Sequence, residues 1–327
     1  MTKIFSLLFV IELAVSANGG TFTNESSAIL KSPEIVWTAS INDWPKKLWT
    51  YKVTPQKFSE SVISNLMALG SFTTKDRTNI SDYFDSKDEV IFFGNPDGTM
   101  KHLAICPAMG FIEYHDGKAK SPSQLQPIVG VPNQDEATQL GLKYLRLVEI
   151  DVSQLATKAG SGDLNLHWER QTIGYSDQTT KAEVTLTNGY GVFFLRRIDG
   201  IDVVGIGLNG GAYMFFGNKG KPADLQICWR NLKPYQLNNC PSPQQIDELI
   251  KNGQITFHSF GSMAIYSARI QKLTVTKATP LYSGKHYDEP MDFVSPFARF
   301  EAVAEDGTNK TSLWFESPMT FNKTTDK

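Results

Sequence analysis

The chain has 327 residues, 41% of them hydrophobic and 20% charged, with 32 Lys and Arg against 34 Asp and Glu. An aromatic content of 11% and a formal charge of −2 exclude a disordered chain, and the lack of a basic excess excludes a nucleic-acid binder. Three cysteines are too few for a disulfide-scaffolded mini-fold, and the length accommodates about two domains.

At the N-terminus, Lys3 precedes the apolar stretch Ile4 to Ala14, broken only by Glu12 and Ser6, and Val15-Ser16-Ala17 places small residues at a cleavage site. This predicts a secretory signal peptide over 1–17, cut after Ala17. The stretch is too short for a comfortable membrane span of about 20 residues, and no later segment reaches that length. The expectation is a secreted, extracellular glycoprotein with no membrane span after cleavage. Sequons at Asn24, Asn79, Asn309 and Asn322 fit that route. In an oxidising compartment Cys228 and Cys240 are the disulfide candidates, closing a loop worth about 3 kcal/mol. Pairing of Cys106 with Cys240 is the alternative; otherwise Cys106 is a buried small residue or, as a sharper reading, a nucleophile.

Three helices are predicted. Thr54-Pro55-Gln56 supplies an N-cap and a first-turn proline for Phe58, Val62, Ile63, Leu66 and Leu69, with a stop at Gly70. Asn133 to Glu136 resembles a capping box ahead of Ala137, Leu140, Tyr144, Leu147 and Val148. Ser242-Pro243-Gln244-Gln245 opens a third helix with Ile246, Leu249 and Ile250 on one face, ending at Gly253. Between them the text is strand, punctuated by hairpin signals at Asp97-Gly98, Asp116-Gly117, Asp199-Gly200 and Asp306-Gly307. Phe92-Phe93-Gly94-Asn95 recurs as Phe215-Phe216-Gly217-Asn218, and each copy leads to a strand ending in Ile-Cys. The fold class read from this is α+β, with tandem antiparallel sheets each packed on a helix. The units expected are 18–130, 131–240 and a shorter 241–327 with a polar tail.

A proline-opened helix followed by a meander with Arg197, Asp199, Gly200, Ile201, Val203 and Gly205 resembles PepSY-like and protease-propeptide-type domains. Gly211 to Gly220 looks like the next strand and turn of such modules, and the C-terminal order is similar to extracytoplasmic regulators of the WalRK kinase system. The resemblance implies a cystatin-like sheet wrapped on a helix, outside the cytoplasm, non-catalytic and used to regulate a partner.

No complete catalytic set is present. Gly205, Gly207 and Gly210 match a dinucleotide fingerprint, but Ala212 to Phe216 continues as strand where a helix is needed, so the glycines read as a hairpin. The histidines His102, His115, His167, His258 and His286 form no metal pattern, and His286 with Asp288 and Glu289 reads as a loop. Ser161 lies among glycines without a nucleophile elbow. Glu113 with Asp116, or Asp199 with Asp202, can serve acid–base work only if buried together. Trp37, Trp44 and Trp49 are the ligand-binding candidates, suited to stacking a sugar or apolar ligand. The leading expectation is a secreted binding or regulatory protein without chemistry, cofactor or metal, whose partner is a protein, glycan or small molecule. The alternatives are a secreted enzyme using carboxylates and histidines, for which His167, Glu169 and Arg196 would have to meet in a pocket, and a carbohydrate-binding surface protein.

Overall fold

The computed structural model describes residues 33–40, 44–80, 88–94, 101–120, 129–176, 183–204, 210–252, 254–255, 257–259, 270–284, 291–307 and 309–319. The expected signal peptide, Asn24, Asn322, Gly205, Gly207, His286, Asp288 and Glu289 lie outside the described residues.

In chain order the elements are β1 (Glu34–Trp37), β2 (Lys47–Thr54), α1 (Glu60–Gly70), β3 (Arg77–Ile80), β4 (Val90–Gly94), β5 (Lys101–Cys106), β6 (Phe111–Asp116) and the single turn α2 (Gly117–Lys120). Next come α3 (Gln134–Leu147), β7 (Leu166–Ser176), β8 (Glu183–Leu195), β9 (Arg197–Ile198), β10 (Ile201–Val204), β11 (Gly211–Phe216) and β12 (Pro222–Cys228). The chain continues through β13 (Asn231–Asn239), α4 (Pro243–Lys251), β14 (Phe257–Ser259) and β15 (Lys272–Ser283). It finishes with β16 (Phe293–Val294), β17 (Pro296–Glu305) and β18 (Lys310–Pro318). The architecture is α+β, mostly strand, with several antiparallel sheets.

Local chemistry explains the helix starts. Asn133 Oδ1 accepts from the Glu136 N–H while Glu136 Oε2 accepts from the Asn133 N–H, each at 2.9 Å, so the capping box before α3 is formed. Ser242 and Gln245 do the same for α4, with Pro243 in the first turn. The start of α1 differs from expectation. Its N-cap is Ser59, whose hydroxyl accepts from Val62 N–H at 3.2 Å, whereas Thr54 still belongs to β2. A proline fixes its own φ but supplies no cap acceptor, and four residues later serine does.

The described residues form two compact units, one from 53–233 with 284–292, the other from residues before 53, 234–283 and 293 onward. These boundaries differ from seams at 130 and 240, because a single eight-stranded sheet runs through the first unit. Its order is β3-β4-β5-β6-β12-β11-β8-β7, every adjacent pair antiparallel. A helix followed by four of these strands occurs twice, and the two sets meet where β6 pairs with β12. Both α1 and α3 bury their apolar faces on this one sheet: Val62, Leu66, Ala137 and Leu145 join Leu103, Ile112, Met214, Phe216 and Leu225 in one core. Helix packing is thus two on one sheet, where one per sheet was expected. Both copies of the Phe-Phe-Gly-Asn phrase end a strand that pairs antiparallel with the next, β4 with β5 and β11 with β12.

Of the four Asp-Gly signals, Asp97-Gly98 lies outside the described residues, and Asp199-Gly200 and Asp306-Gly307 fall between paired antiparallel strands. At Asp199-Gly200 both residues have positive φ (52° and 76°), as a two-residue primed turn requires. Asp116-Gly117 instead starts α2, because the Asp116 carboxylate accepts from the N–H groups of Lys118 and Ala119 at 3.1 Å and so caps the turn.

In the second unit an antiparallel sheet runs β14-β18-β17-β15, with β1 added parallel to β15. Strict alternation along β17 buries Ala298, Phe300, Ala302 and Ala304 and turns Arg299 and Glu301 to the other face. There Arg299 lies 4.8 Å over the Trp314 ring and donates twice to Glu316, while His258 stacks on Trp314 at 4.1 Å.

Two outcomes test this packing. A Cβ at Gly141, inside α3, would meet the Phe194 ring at 2.5 Å. Gly141→Ala should therefore lose about 1–3 kcal/mol of unfolding free energy, despite alanine's better helix propensity. A denaturant midpoint at or above wild type would mean that the ring moves aside. Partial burial holds the His258 imidazole below its ordinary 6.5, with Arg299 reinforcing and Glu316 opposing the shift. The unfolded chain then binds the proton more readily, so this contribution is intact above pH 6.5 and is lost as pH falls through the depressed folded value. The stability gap between wild type and His258→Phe should widen in favour of the variant below pH 6.5; a pH-independent gap would contradict it.

Candidate functional site

Alternation along the strands of the eight-stranded sheet places one set of side chains under the helices and the other on the far face. On that far face, cross-strand register sets His102, His115, Asp224, Phe215, Gly191 and Glu169 side by side across β5, β6, β12, β11, β8 and β7. The next row over is Ala104, Glu113, Gln226, Tyr213, Phe193 and His167. Polar groups thus occupy the middle of the sheet, where apolar residues are the ordinary filling.

His115 Nδ1 lies 2.5 Å from Asp224 Oδ1. A carboxylate oxygen accepts in such a contact, so the hydrogen of this bond lies on the imidazole. Gln226 Nε2 donates to Glu113 Oε1 at 3.1 Å. His102 is buried, its side chain 9% exposed, and its Nε2 is 3.8 Å from Glu113 Oε2, too far for a hydrogen bond. Among the described residues, neither buried ring nitrogen of His102 has a hydrogen-bond partner. The ring stacks on Phe92 at 5.7 Å and lies 5.5 Å from the His115 ring.

Tyr213 extends the strip sideways. A Cβ at Gly191 would sit 2.6 Å from Tyr213 Cε2, so glycine is what lets the ring cross β8. The hydroxyl then donates to Glu169 Oε2 at 3.5 Å. Burial, followed by the charges of Glu169 and Asp224, pushes the Tyr213 hydroxyl far above its ordinary value. The strip is a negative environment. It brings together carboxylate oxygens of Glu113, Asp224 and Glu169 and the rings of His102 and His115.

Other candidates have structural employment. Trp37 and Trp44 each pack on Phe300 at 5.7 Å, and Trp37 Nε1 donates to Asp247 at 2.8 Å. Trp49 is half-buried and its carbonyl accepts from the Tyr282 hydroxyl at 3.1 Å. All three are partly buried. The disulfide between Cys228 and Cys240 is not formed; all three thiols are free. Nine extended residues of β13 lie between the two, a run of roughly 30 Å, whereas a bridge needs Cα atoms within about 7 Å. Cys106 and Cys228 are buried on either side of Phe111, and burial raises both thiols, which argues against a nucleophile. Burial likewise pushes Cys240 up to about 11.

His167, Glu169 and Arg196 do not meet. His167 lies against Phe193, and Arg196 donates to Gln154 and to the Arg230 carbonyl beneath Trp229. Glu113 and Asp116 face opposite sides, the latter paired with Lys101 at 3.0 Å. Asp202 pairs with Arg197 at 2.7 Å, and Ser161 is exposed, accepting from Asp163 N–H. Asn79 and Asn309 are both exposed, the first on edge strand β3, the second at the β17–β18 turn. A cavity of about 290 Å³ lined by Arg77, Glu89, Ile91, Pro107 and Ala108 sits at the opposite end of β5 and β6 from His102 and His115. Among the described residues no three His, Cys, Asp or Glu side chains converge to hold a metal ion, and no helix is long and apolar enough to cross a membrane.

The sequence motifs single out neither Asp224, Gln226 nor Tyr213, and they do not link His102 to His115. The available signal is a pair of polar residues two apart in each strand, Glu113 with His115 and Asp224 with Gln226, inside otherwise apolar strands.

No family model and no curated protein matches this chain. Eight chains of solved structures match, among them an uncharacterized protein from Eubacterium rectale, which is 16% identical over 88% of each chain with a TM-score of 0.46.

Proposed function

We propose that the chain is a secreted binding or regulatory protein that holds a small polar ligand on the far face of the eight-stranded sheet, without chemistry. The observation that carries this reading is His102: a buried imidazole whose two nitrogens have no hydrogen-bond partner among the described residues, beside the Glu113, His115 and Asp224 side chains. An unpaired buried polar group costs about 1–3 kcal/mol, so its presence at the centre of a sheet favours a use that the folded chain alone does not supply. On the same reading, each helix with its four following strands is a cystatin-like repeat of the PepSY or protease-propeptide type, a view supported by element order alone.

His102→Phe distinguishes a ligand site from a structural one. The ring stacked on Phe92 is retained and two unpaired nitrogens are removed, so the variant should unfold at a midpoint about 1–2 kcal/mol above wild type. It should also lose the thermal shift that wild type shows with a bound small molecule. A destabilised His102→Phe protein, with no ligand found for wild type, would end the proposal.

One observation favours an enzyme as the second reading. His115 oriented by Asp224 is the arrangement of a general base. Incubating wild type with its ligand and following the ligand by mass spectrometry separates the two. Unchanged ligand supports binding alone; a product that disappears with Asp224→Asn makes the protein an enzyme.

The secreted route rests on the residues of 1–17 and on two exposed sequons. Expressed in a eukaryotic host, the protein should be recovered from the medium beginning at Asn18, and Asn79→Gln and Asn309→Gln should each remove one glycan by intact mass. Retention in the cytosol with an unmodified N-terminus would overturn it.

A further inference from the structure

We infer that the glycan expected at Asn79 is seated on the protein: its first N-acetylglucosamine rests in the cavity lined by Arg77, Glu89, Ile91, Pro107 and Ala108. The inference rests on the secretory reading above and extends it from attachment to a structural use at the sheet edge. Its geometry comes from the pairing of β3 with β4. Asn79 stands directly opposite Ile91, and side chains alternate along each strand. Arg77 and Asn79 therefore share a face with Ile91 and with Glu89, just ahead of β4. Three of these four line the cavity of about 290 Å³, and Asn79 is the fourth. The atom to be modified already bonds to the lining. Asn79 Nδ2 donates to Glu89 Oε1, and Arg77 Nε donates to Asn79 Oδ1 at 3.4 Å. All three side chains are exposed.

Transfer in the secretory pathway joins Nδ2 to C1 of a lipid-linked oligosaccharide diphosphate. Nδ2 gives up one proton, and the C1–O bond breaks with its electron pair leaving on the diphosphate. Nδ2 keeps one N–H, so a donor for Glu89 remains after modification. The lining suits the sugar that arrives. A pyranose shows C–H groups on its face and hydroxyls around its rim. Ile91, Pro107 and Ala108 offer apolar contact to the face. Arg77 offers donors to acetamido and hydroxyl oxygens, and Glu89 accepts from O–H and N–H groups. The volume falls just short of the roughly 300–1,000 Å³ of sites for drug-sized ligands, as fits a single sugar. The place has its own use. β3 has four residues and ends the order of the eight-stranded sheet, its outer side meeting no described strand. A sugar fixed there covers an edge open to pairing with other chains.

The test expresses the full chain in a eukaryotic host and trims it with endoglycosidase H, leaving one N-acetylglucosamine on each occupied site, counted by intact mass. Trimmed wild type should melt about 2–4 °C above Asn79→Gln. Its acetamido methyl should show nuclear Overhauser contacts to the methyl groups of Ile91 and Ala108. Asn309→Gln, at the β17–β18 turn, is the control and should melt within about 1 °C of trimmed wild type. The double variant Arg77→Ala with Glu89→Ala should keep its sugar by mass. It should lose at least half of the melting gap that separates it from the same protein carrying Asn79→Gln. An occupied Asn79 with an unchanged midpoint, or without those contacts, overturns the seat and leaves the secretory reading standing. A bare Asn79 beside an occupied Asn309 overturns the inference alone. Absence of sugar at both sites overturns the secretory reading with it.

Discussion

The pairing of β6 with β12 is the constraint on which the first unit depends. It joins strands more than a hundred residues apart and turns two helix-plus-four-strand segments into one sheet. Everything on the far face follows from its register. His115 stands directly opposite Asp224, and Glu113 opposite Gln226, so four polar side chains in the sheet's interior are paired by the same ladder that joins the halves. Side chains alternate with a period of two, so a slip of one residue would turn this set into the core of Leu103, Met214 and Phe216. Such a slip carries the cost of burying charge among hydrocarbon, and the register is correspondingly well determined.

The two faces of that sheet divide the work. Under the helices the core is uniformly apolar and aromatic, and Gly141 marks how closely α3 approaches the Phe194 ring. The opposite face carries polar side chains, and among the described residues the buried ring nitrogens of His102 have no hydrogen-bond partner. A sheet selected only for stability would place an aromatic or aliphatic side chain at residue 102. The price of the histidine is some stability, the usual exchange at a site shaped for something other than folding.

The second unit uses its aromatic residues differently. Phe300 gathers Trp37, Trp44 and Phe315 around it, and the cost of burying an indole is offset at Trp37 by the bond to Asp247. On the other face of the same strands, the ladder of His258, Trp314, Arg299 and Glu316 couples ring stacking to a charged pair. Tryptophans clustered near the start of a chain suggest a ligand platform when read in line. Folded, two of them share a single phenylalanine as their support.

The opening arithmetic allowed about two domains, and two compact units are present, but with boundaries that no compositional shift marks. Local chemistry was readable wherever neighbours in sequence are also the interacting partners. The capping boxes at Asn133 and Ser242 and the primed turn at Asp199-Gly200 are of this kind, since three or four residues contain the whole interaction. At the start of α1, Thr54-Pro55 satisfies the capping pattern while Ser59 makes the bond. Asp116-Gly117 was misread because the carboxylate caps a helical turn that a hairpin reading omits. Charge balance, strand content and the strand-ending Phe-Phe-Gly-Asn phrases belong to the sequence alone. The single sheet, the separation of Cys228 from Cys240 and the strip at His102, His115 and Asp224 belong to tertiary structure. Each depends on which distant strand becomes a neighbour, and hydrophobic alternation specifies the face a residue takes but not the strand it will lie beside.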